Sequence, residues 1–349
     1  MKSSFIEDDI TLLLKDITGL VEPLPTKERE KKIQTGTHYS EMLPLEYQPT
    51  DKYIEIYENA LNVFGQSTAD AVARVSELIL QKKGKDVVIV SLARAGSPVG
   101  VLIKRYIKAK YGFSCPHYSI SIIRDRGIDK NAMKYILSKH SPESIQFVDG
   151  WTGKGVIYRE LRKEIGNFDG VSDELAVLAD PAYITDLCGT HEDIMIPSSC
   201  LNCTVCGLVS RTFLRTDIIG EDDFHGAAYY GELADQDRTY EFIDTIIDKF
   251  KFDLEPLAPV SDKEAQKDVS NLSKEYQFDN VNFIKPGIGE TTRVLLRRVP
   301  WKVVVDRKYE DSPELAHIFQ LAKEKNVEIV IGDLENYKCC GLIKNLSDV

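Results

Sequence analysis

The chain has 349 residues, of which 43% are hydrophobic and 28% charged, a mixture typical of globular proteins and long enough for two or three domains. Its net charge of −11 argues against a nucleic-acid-binding surface over the whole chain. No apolar run approaches the roughly 20 residues of a membrane span, and acids stand where a signal peptide needs an apolar core. We therefore expect a cytoplasmic protein with no membrane partner.

The first 50 residues are predicted to be an extension that packs on the neighbouring domain. Apolar residues at Ile10, Leu13, Leu14 and Ile17 have helical spacing and predict a helix over residues 5–20. Prolines make residues 21–50 irregular. Packing over the core is the expected role of this segment, and a lid over a site is the alternative.

A first strand, glycine turn and helix follow one another between residues 87 and 110. The run Val87–Val90 is β-branched, which is typical of a strand buried on both faces of a parallel sheet. It ends in a turn that contains Ala93–Gly96, and a helix is predicted over residues 101–110. A strand over residues 118–123 then leads into the basic loop Arg124–Lys130, which we expect to be mobile.

The stretch Ser144–Leu161 has the same order. Residues 145–148 predict a buried strand, Asp149–Gly155 is a turn with three glycines, one acid and one hydroxyl, and residues 156–165 have helical spacing. Backbone N–H groups without helical partners point outwards at such a turn, and the helix dipole favours negative charge. The stretch therefore predicts a phosphate site, with a tight turn that binds nothing as the alternative.

The alternation of strands and helices predicts an α/β fold with a mostly parallel sheet. Ligands bind at the carboxyl ends of such strands, where both glycine turns would lie. We expect an extension over residues 1–50, a core domain over 51–250, a polar linker over 251–280 and a small α/β unit over 281–349.

The two glycine turns and the basic loop together resemble type I phosphoribosyltransferases. The resemblance implies that fold for the core and Mg²⁺-dependent transfer or binding of phosphoribosyl pyrophosphate. It implies catalytic roles for Asp149, Arg94, Arg124 and Arg126, with Asp149 facing the ribose and the metal ion. The implied phosphate and ribose ligands are Ala95, Gly96, Thr152, Gly153, Lys154 and Gly155. The turn has a single acid followed by Gly150-Trp151, where that family usually has two acids and a longer spacer.

The whole chain also resembles a narrower family of bacterial proteins from tellurite-resistance and stress gene clusters. The matching stretches include His38–Pro44 and Ile196–Ser198. In that family a divergent phosphoribosyltransferase-like domain precedes a C-terminal PELOTA-type RNA-binding domain, and its members are often labelled the cysteine protease StiP family. The resemblance implies synthesis of a nucleoside-like metabolite in a stress response.

The segment Gly287–Arg293 resembles the Gly-x-x-Glu-x-x-Lys/Arg helix start of the L7Ae/PELOTA RNA-binding fold. In that fold the backbone and the acid read a base edge, and the basic residue meets a phosphate. The implied RNA-binding residues are Gly287, Gly289, Glu290, Thr291 and Arg293, with a structured RNA as partner. A capped helix with a solvated basic face is the alternative for this segment. A non-enzymatic RNA or nucleotide sensor is an alternative function.

The chain has seven cysteines, too few for a disulfide scaffold of this length. They allow two further kinds of site, a thiol hydrolase site and a metal site. A thiol hydrolase needs a histidine that lowers the pKa of the cysteine and takes its proton. The candidate pair is Cys200 with His225, and Cys188 and His191 are further candidates. Three cysteines are spaced closely enough to bind a metal ion through their soft thiolates, namely Cys200, Cys203 and Cys206. Packing in the core is the commoner role for such cysteines. The acceptor substrate, the RNA target and the oligomeric state, including a homodimer, stay open.

Overall fold

The computed structural model describes residues 1–46, 48–259 and 266–344. In these ranges the α-helices are α1 Thr26–Gln34, α2 Asp51–Lys83, α3 Gly96–Tyr111, α4 Lys130–Leu137, α5 Val156–Ile165, α6 Thr239–Ile247, α7 Gln266–Glu275, α8 Ile288–Arg297 and α9 Ala316–Glu324. The strands are β1 Thr11–Leu12, β2 Lys15–Asp16, β3 Val88–Ala93, β4 His117–Ile123, β5 Gly127–Ile128, β6 Ile145–Trp151, β7 Leu175–Ala179, β8 Cys188–Thr190, β9 Gly226–Ala227, β10 Ile284–Pro286, β11 Pro300–Asp306, β12 Glu328–Gly332 and β13 Cys339–Ile343. None of the described helices is long and apolar enough to cross a membrane.

The core is a seven-stranded sheet with the strand order β1-β4-β3-β6-β7-β8, and β5 pairs with β4. The pairings along this order are parallel, whereas β5 is antiparallel to β4. Residues 88–92 of β3 are all buried, as expected for a strand covered by helices on both faces. The predicted α/β class with a mostly parallel sheet is therefore confirmed.

Helix α2 packs against β7 and β8 at the edge of this sheet. The Thr50 hydroxyl accepts a hydrogen bond from the backbone N–H of Tyr53 and begins the helix. A Cβ atom on Gly189 of β8 would lie 2.3 Å from the carbonyl oxygen of Ala71. A glycine at this position is therefore what lets the helix lie directly on the strand.

The C-terminal unit has a second, four-stranded sheet with the order β10-β13-β11-β12. Strands β11 and β12 are parallel, and the other two pairings are antiparallel. This small α/β unit is the one that the sequence predicts for the C-terminal part of the chain.

Helix α7 lies inside the range 251–280 that was predicted as a linker. Its Asp268 carboxylate accepts hydrogen bonds of 2.8 Å from the backbone N–H groups of Glu335 and Asn336. Val269 and Leu272 are buried against the C-terminal sheet. Residues 266–275 therefore belong to the C-terminal unit, and their polar composition hides this because only a narrow face of the helix is apolar.

The predicted helix over residues 5–20 is wrong. Residues 11–12 pair with β4, and residues 15–16 pair with β9. The four residues with helical spacing are all buried, but each packs into a different apolar cluster; these are Ile10, Leu13, Leu14 and Ile17. An extended segment buried on several sides can therefore imitate the spacing of an amphipathic helix.

The core and the C-terminal unit meet at a junction that Asp193 holds together. Its buried carboxylate accepts hydrogen bonds from the backbone N–H of Ile288 at 3.1 Å and of Lys338 at 2.9 Å. The Tyr337 hydroxyl donates a hydrogen bond of 2.8 Å to the carbonyl oxygen of Gly153. The start of α8 is therefore fixed against the glycine turn that follows β6.

Candidate functional site

A cavity of about 770 Å³ lies between the core sheet, helix α1 and the C-terminal unit. The carboxyl ends of β3, β4 and β6 open into it, as expected for ligand sites in parallel sheets. The structure therefore brings together residues from both glycine turns, the basic loop and the start of α8. The predicted site residues that line the cavity are Arg94, Ala95, Arg124, Asp149, Thr152, Gly153, Lys154, Gly155, Glu290 and Arg293.

The turn after β6 has the geometry of an open helix start. Gly155 has a φ of 70° and precedes α5 without a side-chain cap. A Cβ atom there would lie 2.2 Å from Ile184 Cδ1, so both the backbone angle and the packing require glycine. The first N–H groups of α5 have no partner within the helix. The Lys154 ammonium group, beside this helix start, donates a hydrogen bond to the carbonyl oxygen of Val281.

Asp149 was predicted to face a ribose and a magnesium ion. Burial raises the pKa of its carboxyl group to about 6, and one carboxylate oxygen accepts a hydrogen bond of 2.8 Å from Gly150. Most of the charged side chains that line its cavity are arginine and lysine, and within the described ranges Asp149 belongs to no group of three potential metal ligands. These surroundings do not fit a divalent cation, whose sites are built from several oxygen ligands.

The turn at Ala93–Gly96, which was predicted to contribute phosphate ligands, is held in place by contacts of its own. Arg94 forms an ion pair of 2.8 Å with Glu46 and donates a hydrogen bond of 3.1 Å to the carbonyl oxygen of Val209. Ala95 lines the cavity. The neighbouring Gly96 instead faces the core, because a Cβ atom there would lie 2.6 Å from the carbonyl oxygen of Val148.

The basic loop that was expected to be mobile is a short hairpin with several contacts. The backbone N–H of Asp125 donates a hydrogen bond of 2.9 Å to Glu160, and Arg126 is paired with Glu41. Arg124 lines the cavity and lies over the ring of Tyr39. Of the two arginines with a predicted catalytic role in this loop, Arg124 therefore faces the cavity and Arg126 is held by the N-terminal segment.

The predicted RNA-binding helix start faces the core. A Cβ atom on Gly289 would lie 2.3 Å from the Trp151 ring, and Gly287 is buried beside Asp193. Thr291 is fully buried. The side chains of this motif that line the cavity are Glu290 and Arg293, which form an ion pair of 2.7 Å.

The structure does not bring Cys200 and His225 together. The carbonyl oxygen of Cys200 accepts a hydrogen bond of 2.7 Å from the Tyr53 hydroxyl, in the α2 face of the core. The His225 ring instead lies 2.9 Å from the Ser121 hydroxyl. The spaced cysteines at 200, 203 and 206 are all buried, and in the described part of the chain they form no group of three metal ligands.

A different cysteine and histidine are in contact at the edge of the sheet. Cys188 Sγ lies 3.5 Å from His191 Nε2. His191 Nδ1 donates a hydrogen bond of 3.0 Å to the carbonyl oxygen of Asp180, and the Asp180 carboxylate lies 3.5 Å from the same nitrogen. Because Nδ1 carries the donated proton, Nε2 is the nitrogen that can accept one from the thiol. Cys188, His191 and Asp180 thus lie in contact as a nucleophile, a base and an orienting acid. We call these three residues the Cys188 cluster.

The electrostatics of the Cys188 cluster are set by burial and by Asp180. Burial, followed by the charges of Asp180 and Asp186, raises the pKa of the Cys188 thiol to about 12. The hydrogen bond with Asp180 raises the pKa of His191. The thiol is therefore neutral at rest, while the acid behind the imidazole favours its protonated form, as a proton-accepting histidine requires.

The Asp180 carboxylate is itself held by three hydrogen-bond donors. It accepts hydrogen bonds from the backbone N–H groups of Ile184 at 2.7 Å and Thr185 at 3.0 Å, and from the Thr152 hydroxyl. The Tyr183 ring stacks on His191 with the ring centres 4.4 Å apart. The segment 181–187 therefore both orients the acid and covers the histidine.

Sequence reasoning named Cys188 and His191 only as further candidates and did not name Asp180 as a partner. The available signal was the spacing itself, since an acid at the end of β7 and a Cys-x-x-His in β8 lie at the edge of one sheet. It also missed Arg29 and Lys285 in the cavity, for which no local pattern exists.

The comparisons with known proteins give a family. The model of the family "Tellurite-like stress resistance cysteine protease StiP" matches residues 3–247, and the model of the PELOTA RNA binding domain matches residues 263–345. The chain is 37% identical over 365 residues to "Cysteine protease StiP" of Acinetobacter baylyi, which covers 98% of this chain and 94% of that protein.

Two solved structures of hypoxanthine-guanine phosphoribosyltransferase from Bacillus anthracis are also similar to part of the chain. The first has a TM-score of 0.24 at 14% identity and covers 33% of this chain and 66% of the enzyme, slightly under two thirds of its length. The second, with a HEPES molecule in its active site, has a TM-score of 0.23 at 12% identity and covers 39% of this chain and 72% of the enzyme. Similarities this low carry no conclusion about this chain.

The prediction of a magnesium-dependent phosphoribosyltransferase is therefore wrong. The family model and the curated relative both name a cysteine protease, which agrees with the thiol hydrolase that the sequence left as an alternative. The stress-related family and the C-terminal RNA-binding-type domain are confirmed. The chain belongs to the StiP family of tellurite-like stress resistance cysteine proteases, joined to a PELOTA RNA binding domain.

Proposed function

We propose that this protein is a thiol-dependent hydrolase of the cysteine protease class and that Cys188 is its nucleophile. The observation that carries the proposal is the contact of 3.5 Å between Cys188 Sγ and His191 Nε2, with Asp180 behind the imidazole. The relatives' name supports the class of reaction, and this contact supports the choice of residues.

In the proposed reaction His191 Nε2 accepts the thiol proton as Cys188 Sγ attacks the carbonyl carbon of a peptide bond. The C–N bond then breaks, and the imidazolium returns the proton to the leaving amine. A water molecule attacks the resulting thioester while His191 accepts one of its protons, which releases the acid and restores the thiol. Asp180 stabilises the imidazolium and keeps the ring in the required orientation.

Access to the sulfur requires the covering segment to move. Cys188 is fully buried, and Tyr183 stacks on the imidazole. Tyr183 has a φ of 50°, a left-handed conformation that an aromatic residue rarely adopts. We infer that residues 181–187 swing away when a substrate binds, which would also lower the pKa of the thiol by admitting solvent.

The test is hydrolysis of fluorescein-labelled casein by wild-type protein and two cysteine variants. We expect Cys188→Ser to lower the rate on the order of a thousandfold. Cys200→Ser is the matched control, since Cys200 is equally buried and touches no histidine in the described residues.

A second readout is the rate at which iodoacetamide alkylates Cys188, followed by intact mass. Replacement of His191 by glutamine should slow this alkylation, because the base is lost. Wild-type protein that neither cleaves casein nor is alkylated at Cys188 would overturn the proposal, as would full activity of Cys188→Ser.

We also propose that the C-terminal unit binds RNA. The match of residues 263–345 to the PELOTA RNA binding domain supports this, and Arg293 supplies a cation beside the junction. Since the start of α8 faces Trp151, an RNA that used Gly287 and Gly289 would have to displace the core from this face.

Fluorescence polarisation of a labelled, kinked RNA with the full chain tests this second proposal. Arg293→Ala should weaken binding about tenfold and reduce its salt dependence. Arg307→Ala is the control, because Arg307 is exposed on the same unit and lies outside the cavity lining. Equal loss in both variants would argue against a site at α8.

A further inference from the structure

The cavity between the two units is lined by more basic than acidic side chains. Eight of its lining residues are basic and three are acidic, although the whole chain has a net charge of −11. The acidic ones are Glu30, Asp149 and Glu290, and the basic ones are Arg29, Arg94, Arg124, Lys154, Arg211, Lys285, Arg293 and Arg298. A concentration of one charge in a cleft attracts ligands of the opposite charge.

Several of these cations already have a carboxylate partner. Arg298 is paired with Glu30, Arg293 with Glu290 and Arg94 with Glu46. The charge that is left over therefore has to be found among the remaining basic side chains.

Three cations keep charge available for a ligand. Arg29 is 2% exposed, and its Nε has no hydrogen-bond partner among the described residues, although Glu46 attracts it through space. Neither Lys154 nor Lys285 forms an ion pair within 4 Å of a described carboxylate, and Lys154 donates to a backbone carbonyl. A buried guanidinium with an unmade hydrogen bond is costly unless a ligand completes it.

These three side chains come from three separate segments and line one cavity. Arg29 lies on α1, Lys154 in the glycine turn and Lys285 on β10. The turn also presents the uncapped N-terminus of α5, where backbone N–H groups favour an anion. The positive charge of three cations and of the free backbone amides is larger than a single carboxylate would neutralise.

The size of the cavity suits a small molecule. A volume of about 770 Å³ is in the usual range for small-molecule sites. Cations lie over two of its aromatic side chains, with Arg293 4.6 Å from the Trp151 ring centre and Arg211 4.7 Å from that of Tyr39. The cavity therefore offers positive charge and hydrogen-bond donors to an anionic ligand.

We propose that this cavity binds an oligophosphate group of two or more phosphates, clamped between Lys154 of the core and Lys285 of the C-terminal unit, with Arg29 as the third cation. The group belongs either to a free nucleotide or inorganic oligophosphate, or to the 5′ end of an RNA. This site is separate from the Cys188 cluster, none of whose residues lines the cavity, so that either proposal can fail alone.

The probe is inorganic tripolyphosphate, titrated into the full chain by calorimetry. We expect wild-type protein to bind it with a Kd well below ~1 mM and to melt at a higher temperature in its presence. Lys285→Met and Arg29→Met should each weaken binding about tenfold, since each removes a charge-assisted contact. Lys302→Met is the control, because Lys302 is paired with Glu328 outside the cavity.

The two sources are distinguished by competition. A nucleoside triphosphate that displaces tripolyphosphate indicates a free ligand, whereas preference for a 5′-triphosphate RNA over the same RNA with a 5′-hydroxyl indicates an RNA end. No binding of tripolyphosphate by wild-type protein would overturn the proposal. Unchanged affinity in a correctly folded Lys285→Met protein, checked by circular dichroism, would overturn it as well.

Discussion

The Cys188 cluster takes its three groups from residues 180–191, whereas the cavity takes its cations from positions as distant as 29, 154 and 285. In the cluster each polar group has a partner, the thiol is fully buried, and Tyr183 stacks on the imidazole. In the cavity, cations outnumber acids and Arg29 keeps an unmade hydrogen bond. The buried thiol of the cluster must become accessible before it can react, whereas the cavity, with its excess of cations, can bind an anion as it stands.

The first prediction concerns replacement of Asp180, the acid of the Cys188 cluster. Asp180→Asn should lower the rate of casein hydrolysis on the order of 10²- to 10⁴-fold, because the imidazolium loses its stabilising charge. The pKa of His191 is raised mainly by Asp180, and the neutral ring is the active base, so the acid limb of the pH–rate profile should shift to lower pH in this variant. Asp186→Asn, at an exposed neighbouring position, should leave most of the activity.

That shift separates chemistry from folding. A variant that had merely lost structure would lower the rate without moving the acid limb. An unmoved limb together with a lowered rate would therefore assign Asp180 a structural role.

A second prediction concerns metal inhibition of the cluster. The ligand atoms of Asp180, Cys188 and His191 all lie within 4.8 Å of one another, and thiolate, imidazole and carboxylate are ligands that Zn²⁺ accepts. Micromolar Zn²⁺ should inhibit hydrolysis about tenfold or more, and EDTA should restore it. If EDTA does not restore hydrolysis, the inhibition does not arise at this cluster.

The third prediction concerns the protonation of the two lysines in the cavity. Burial, followed by neighbouring cations, lowers the pKa of Lys154 to about 7, and burial lowers that of Lys285 to about 8. Both ammonium groups are charged below these values, so tripolyphosphate affinity should fall about tenfold or more as the pH rises from 6.5 to 9. The charged groups that face these two lysines are Arg124, Arg159, Glu290, Arg293 and Arg298.

Replacement of Lys285 by methionine should flatten this pH dependence, which calorimetry at several pH values would measure. A wild-type affinity that does not change between pH 6.5 and 9 would show that neither lysine takes up a proton with the ligand.

The fourth and smallest effect concerns the junction that forms one wall of the cavity. Asp193→Asn removes one of the two acceptors for the backbone N–H groups of Ile288 and Lys338. Leaving one buried N–H unpaired should cost about 1–3 kcal/mol, which thermal unfolding would record as a loss of a few degrees. Tripolyphosphate should restore part of this loss, while casein hydrolysis should change little. A wild-type melting temperature would show that the junction does not depend on this carboxylate.

The parallel core sheet was predictable because β-branched runs such as residues 87–90 have few alternatives to a buried strand. The helix start after Gly155 was predictable because glycines precede a stretch of helical spacing, but residues 149–151, predicted as part of the turn, belong to β6. The N-terminal segment was not, because burial against several partners produced helical spacing in an extended chain. The contact between Cys188 and His191 was not predictable, because neither Cys200 nor Cys188 reveals its partner in the sequence and contacts between histidine and sulfur arise from the path of the chain. Arg29 and Lys285 could not be found at all, because only the folded junction brings them together.

One hydrogen bond joins the two sites. Thr152 lines the cavity, and its hydroxyl donates to the carboxylate that stands behind His191. A ligand that shifts Thr152 changes the free energy of the imidazolium, and thermodynamic reciprocity then requires protonation of His191 to change the affinity of that ligand by the same factor. Occupancy of one site would thus shift the titration of the other through the hydroxyl group of Thr152.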